Sequence, residues 1–265
     1  SRPFRNFKGV QSEFEGLFKL TNYEADADRY KTDGLTTQAN AAIAYNASLP
    51  LTKTNVKENK VSFLTPKLSL RSAPGHMRNI QNDDLKLGYS NLFSLNKNSQ
   101  VDVIERGNSL AVGLEISNND LIDKVPGEKN YSVSIGQVYN FEENEHIPHR
   151  SSLHQKTSDI VGRGFVKLSD NLKITNEFSF DHNFSEINYN DFTANLILGN
   201  TDFNLKYLEE NNHIGSTNYI KSDVKLTLND ANALKFDIRR NLETDSTEFY
   251  SLAYDYLNDC LRAGL

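Results

Sequence analysis

The sequence predicts an all-β fold, an antiparallel up-and-down transmembrane β-barrel present in part, with roughly fourteen strands. Three observations predict it. Apolar residues recur at every second position through most of the chain, the faces they define hold no charged residue, and tight turns alternate with longer polar links. Period-two alternation puts one set of side chains on each side of a strand. A barrel wall in lipid needs its outward set uncharged, because Arg or Lys there near the midplane costs about 2–4 kcal/mol.

Composition agrees. The 265 residues include 12 Tyr and 15 Phe but only 6 Pro and 14 Gly, and abundant Asn, Ser and Thr suit strands joined by polar turns. No run approaches the roughly 18 apolar residues of a spanning helix, which excludes helical membrane proteins. A mean hydropathy of -0.59 leaves a barrel open, since its inward positions are polar. The net charge of -6, from Lys+Arg 29 against Asp+Glu 35, offers no basic stripe, so no nucleic-acid partner is expected. A lone cysteine, Cys260, excludes an internal disulfide or thiolate zinc cluster and suggests a bonding partner elsewhere. Residues 1–265 are expected to be part of one barrel domain cut at both ends: Ser1 is not followed by a signal-peptide pattern, and Arg262 to Leu265 read as an ordered segment.

Taken in chain order, the strand signals begin with Phe14, Phe18 and Leu20, then Ala39, Ala41, Ile43 and Tyr45. Between Val61 and Leu70 the phase slips at Phe63 and Leu64, which predicts a bulge; Pro66 and Pro74 flank a strand expected to be interrupted at Ser72 and Ala73. Leu85, Leu87 and Tyr89 predict a further strand, as do Tyr131, Val133 and Ile135 with Tyr139 and Phe141. From Leu172 the pattern is clean: Leu172, Ile174, Asn176, Phe178 and Phe180 share one face, and Lys173, Thr175, Glu177, Ser179 and Asp181 the other. It returns at Phe192, Ala194, Leu196 and Leu198, then at Phe203, Leu205 and Tyr207. Val224, Leu226 and Leu228, then Leu234, Phe236 and Ile238, and finally Tyr250, Leu252, Tyr254 and Tyr256 complete the series.

Short turns are expected at Asp170-Asn171, Gly199-Asn200 and Asn229-Asp230-Ala231, and longer links at 185–190, 209–217 and 241–247. Outer-membrane barrels pair short periplasmic turns with longer extracellular loops. Counting onward places Cys260 on the periplasmic, oxidising side. A long link at 119–130 breaks the alternation.

The lumen-facing candidates are Lys173, Glu177, Lys206, Lys225, Lys235, Asp237 and Arg239, a mixed-sign lining suited to sugars and phosphates, to a protein plug or to water. His146, His149 and His154 could approach a metal by spacing, but a solvated extracellular loop accounts for them, and no metal or cofactor is expected. Ser179, Asp181 and His182 cannot form one catalytic site, because adjacent strand residues face opposite ways. Gly162-Arg163-Gly164 and Gly107-Asn108 lack the strand, loop and helix of a phosphate cradle and read as turn or close-packing glycines. Nothing predicts an enzyme. On residues alone, a general or substrate-specific porin and a surface-exposed β-rich adhesin stay open beside a lipid conduit.

Several stretches resemble the barrel region of the LPS-assembly family LptD (OstA). They are Leu64-Thr65-Pro66-Lys67-Leu68-Ser69-Leu70-Arg71 followed by Ala73-Pro74 and Met77-Arg78-Asn79; Tyr89-Ser90-Asn91-Leu92-Phe93; Asp102 to Asn108; and Val112 to Glu115. Ser134-Ile135-Gly136-Gln137-Val138-Tyr139-Asn140-Phe141 is similar to a family strand with a Gly-Gln-x-Tyr core, and Ser158 to Val161 and Asp259 to Leu265 follow in order. The resemblance implies delivery of lipopolysaccharide to the outer leaflet of the cell outer membrane. It also implies an LptE-like plug lipoprotein and an LptA-like periplasmic bridge met through an N-terminal domain. By the same resemblance Cys260 is an inter-domain disulfide candidate, although Asp259 stands where well-known members have a second, adjacent cysteine.

Overall fold

The computed structural model describes residues 2–25, 34–98, 100, 102–211, 217–257 and 262–264. They form one antiparallel sheet of fifteen strands. The strands are β1 (Arg2–Phe7), β2 (Val10–Ala25), β3 (Gly34–Ser48), β4 (Leu51–Asn55) and β5 (Lys60–Ala73). They continue with β6 (Gly107–Ile122), β7 (Val125–Asn140), β8 (Ile160–Ser169), β9 (Leu172–Phe180) and β10 (Ile187–Leu198). The last are β11 (Thr201–Glu210), β12 (Thr217–Asn229), β13 (Asn232–Asn241), β14 (Ser246–Leu257) and β15 (Arg262–Gly264). Each pairs with its neighbour in sequence, the up-and-down order expected, except that β3 and β4 share the same edge of β5. β1 and β15 lie at the two edges, and no ladder joins them among the described residues.

The register separates two faces. On one, Leu172, Leu196, Phe203, Val224, Phe236 and Leu252 stand side by side from β9 to β14. On β5 to β7 the same face carries Leu70 beside Leu110 and Tyr139, and Leu64 beside Ile116 and Val133. This face is open, with Phe18 68% exposed, Ile43 61% and Leu252 72%, while Leu172, Leu196 and Val224 are half-buried. The polar exceptions are tied up within the sheet, Asn176 Nδ2 donating to Asn190 Oδ1 at 2.7 Å and to the Asp191 carbonyl at 3.1 Å.

Four expectations are corrected. β5 pairs with β6 without a shift from Lys60 to Ala73, so there is no bulge at Phe63 and Leu64 and no interruption at Ser72 and Ala73. The apparent slip arises because Val61 is buried on the inner face while Leu64, Leu68 and Leu70 are exposed on the outer one. Pro66 instead marks where the neighbour breaks: β3 pairs with Lys67–Ser72 and β4 with Lys60–Leu64, and the Leu49 N–H donates to the Pro66 carbonyl at 3.1 Å. A residue's N–H and C=O leave a strand on the same side, so the donor Pro66 lacks is missing at that gap, where it interrupts little.

The expected long link at 119–130 is a two-residue turn. Asp123 and Lys124 both adopt positive φ, 50° and 66°, as a primed hairpin turn requires, and the strands on either side run to Ile122 and from Val125. From β5 to β14 short turns therefore alternate with longer links. The remaining correction concerns Leu85, Leu87 and Tyr89, which lie in no strand. They belong to the 74–106 link, where they are buried with Met77, Ile80, Leu92 and Val103 against Ala111, Val138 and Val161 of the wall. Local turns can bury alternate residues as a pleat does, so their periodicity misled.

Gly113 and Gly136 face each other across β6 and β7 and make the seat for this link. A Cβ at Gly113 would come within 2.7 Å of the Phe93 ring, and one at Gly136 would meet Leu92 and the Val112 carbonyl. The strands are uneven in length: β6 and β7 have 16 residues each and β9 has 9, and β7 pairs with β8 only over Tyr131–Gly136, leaving its turn-proximal part paired with β6 alone and standing beyond β8.

Placing a charge in the apolar belt tests its environment. In the intact protein Val224→Arg is expected to lower stability by about 2–4 kcal/mol in urea titrations followed by heat-modifiable gel migration, with Lys225→Gln within about 0.5 kcal/mol of wild type. Equal effects at the two positions would mean that this face does not meet lipid.

Candidate functional site

All seven lumen candidates project from the face opposite the apolar belt, by their register with Asp191, Lys221 and Asp223. Lys206 Nζ lies 2.8 Å from Asp191, Lys235 Nζ 2.5 Å from Asp255 and Lys173 Nζ 3.6 Å from Glu128. Arg239 Nε is 2.7 Å from Glu248, with its guanidinium 3.9 Å from the Tyr219 ring centroid. The Ser251 hydroxyl donates to Asp237 at 2.9 Å. Like charges sit directly opposite in rows, Lys206 by Lys221 by Arg239 and Asp223 by Asp237, an arrangement that is unfavourable alone and is offset by these pairs and by Lys221 with Asp223 at 2.5 Å. Lys221 and Asp223 share the parity of Lys225, a readable signal that sequence reasoning passed over. Arg71 and Arg163 were missed because their segments were read as broken strand and as close-packing glycines.

Arg71 is 5% exposed and grips the 74–106 link by its backbone. Its Nε donates to the Leu95 carbonyl at 2.6 Å, its Nη2 to the Glu105 carbonyl and its Nη1 to the Gly107 carbonyl at 3.4 Å. Lys97 and Glu105 form a buried pair at 4.0 Å; burial lowers the Lys97 pKa, and Glu105 opposes that shift. Arg78 Nε lies 2.6 Å from Asp102 and its Nη1 3.2 Å from Asp83. The Arg78 hydrogen bond holds the Asp102 carboxyl below its ordinary range. Lys19 on β2 donates to the Gln100 and Val103 carbonyls, both at 3.1 Å, and Lys86 Nζ lies 3.1 Å from the Tyr189 ring centroid on β10. The link is thus tied across the inner face from β2 to β10.

The 141–159 link is also folded rather than simply solvated, with Ile147 and Leu153 in the same core. The Ile80 N–H donates to the His146 carbonyl at 2.8 Å, and Asn144 Nδ2 to the Arg106 carbonyl at 3.2 Å. His149 and His154 stack at 4.2 Å, and His149 Nε2 lies 3.2 Å from Glu145. Among the described residues no three His, Cys, Asp or Glu side chains converge as metal ligands. Ser179 donates to Asp159 at 2.9 Å, while His182 Nδ1 lies 3.0 Å from Asp181; the three residues weighed as a catalytic set do not meet. Cys260 lies outside the described residues.

The family model described as LptD, LPS transport system D, matches residues 9–240. This chain belongs to the LptD family. LptD is a transport and assembly family of the outer membrane, not an enzyme family. The match runs through the 74–106 link and the lumen candidates alike. No curated protein matches. Two substituted variants of the Rh. blastica porin align over 92% and 90% of this chain and 98% and 96% of theirs, with identities of 9% and 10% and TM-scores of 0.30 and 0.29. Similarity at that level carries no argument about this LptD chain.

Two outcomes test how the links are held. Arg71→Ala leaves the Leu95 and Glu105 carbonyls without their donor, at a cost of about 1–3 kcal/mol; limited proteolysis of the intact protein should then cut within 74–106 while the strands persist. An uncut link would show that Arg71 is dispensable. Burial first, and His149 second, lower the His154 pKa. A depressed histidine favours the neutral folded state, so its contribution is present at neutral pH and lost as pH falls below about 6.5 toward the folded value. Cutting within 141–159 should therefore rise on acidification in wild type and stay flat in His154→Phe.

Proposed function

We propose that these strands form part of the wall of a larger barrel that passes lipopolysaccharide to the outer leaflet, and that the chain has no enzymatic role. The family match over 9–240 carries this reading. The physical layout supports it: an apolar belt outside, a charged wall inside, and a folded link against that wall. In this reading the two free sheet edges are completed by further strands, and the short turns, such as Asp123-Lys124, face the periplasm. Lipopolysaccharide arrives from an LptA-like bridge through an N-terminal periplasmic domain, and an LptE-like lipoprotein sits within the barrel. Lys173, Glu177, Lys206, Lys225, Lys235, Asp237 and Arg239 line the path of the sugar and phosphate groups, and Cys260 bonds to the periplasmic domain.

Depleting the intact protein in its own cells should reduce newly delivered surface lipopolysaccharide severalfold, as read by outer-leaflet-specific labelling, with wild type restoring it. Unchanged surface labelling after depletion overturns the reading. A general porin is distinguished by planar-bilayer conductance: it gives large steady openings, whereas a wall with its links folded inward gives small ones until they are removed.

A further inference from the structure

Beside the folded link the inner face lines an open hollow of about 680 Å³, within the size range of small-molecule sites. Ser134, Arg163, Thr175, Glu177, Asp191 and Lys206 line it. Several charges around it are paired, Lys206 with Asp191 at 2.8 Å and Lys67 with Glu115 at 2.8 Å. Lys129, Arg163 and Glu177 are the exceptions, with no hydrogen-bond or ion-pair partner among the described residues. Arg163 and Glu177 stand directly opposite on β8 and β9. Arg163 leans instead over Tyr89, 5.5 Å from the ring centroid, which holds the guanidinium beside the hollow.

A free guanidinium offers a planar fork of N–H donors that fits a phosphate with two parallel bonds. An unpaired carboxylate among serine and threonine hydroxyls supplies the acceptors and donors that sugar hydroxyls require. We propose that this hollow binds a phosphorylated saccharide, Arg163 taking the phosphate and Glu177 accepting from ring hydroxyls. The inference rests on the proposed function for its substrate and assigns that substrate's headgroup a place in the wall.

The probe is deacylated lipopolysaccharide core oligosaccharide with its phosphates, and the same material after phosphatase treatment, titrated calorimetrically into the intact protein with its partner lipoprotein in detergent. Wild type is expected to bind the phosphorylated form about tenfold more tightly, a difference of about 1.4 kcal/mol. Arg163→Gln should remove that preference, Glu177→Gln should weaken both forms, and Lys53→Gln, on exposed β4 outside the hollow, should change neither. Equal affinities for the two forms in wild type, or an Arg163→Gln protein that keeps the preference, overturns the proposal. Should Arg163→Gln lose heat-modifiable migration, the phosphatase comparison on wild type decides alone. Normal surface delivery by cells whose protein lacks the preference removes the hollow and leaves transport standing; binding here without an effect of depletion on surface lipopolysaccharide does the reverse.

Discussion

The structure depends on one constraint: in hydrocarbon each backbone N–H and C=O must find its partner within the sheet, and the side chains turned outward must carry no charge. Strands obey it by alternation, so whatever is polar can project only inward. The row from Leu172 to Leu252 is one consequence and the ion pairs of Lys206, Lys235 and Arg239 on the opposite face are the other. The burial that an ordinary domain achieves between layers is supplied here by lipid outside and by folded connections inside. The main packed core accordingly consists of link residues against the wall, Leu87 and Leu92 from the link meeting Val138 and Val161 from the strands.

The wall is shaped to receive that link. Paired glycines at Gly113 and Gly136 leave the space that Phe93 and Leu92 fill, and Arg71 binds carbonyls rather than side chains. Gripping the backbone makes the seat indifferent to much of the link's sequence while demanding its path. The second link closes over the first through the Ile80 and Asn144 hydrogen bonds, so the two are packed as one body.

Much of this was legible because period two is a robust signal when one face meets lipid and the other water. The strands from Leu172 onward and their turns follow the alternation directly. It failed where apolar residues also faced inward, as Val61 does near the start of β5, and where burial without a pleat copied the pattern, as at Leu85, Leu87 and Tyr89. The hairpin turn at Asp123 and Lys124 was hidden because neither residue is a glycine or asparagine, the types that most readily adopt positive φ. Of the inner face, the charges on regular strands were readable, whereas Arg71 and Arg163 acquire their surroundings from a link distant in sequence.

The unequal strands have a consequence for the outline of the molecule. At about 3.3 Å per residue, the 16 residues of β6 and β7 reach roughly 53 Å and the 9 of β9 roughly 30 Å. Only the shorter figure matches a bilayer's hydrocarbon depth. One sector of the rim is therefore a tall parapet, with Ile122 and Val125 exposed at its crest, while the sector beside it ends near the lipid surface. At this end the wall is stepped rather than level.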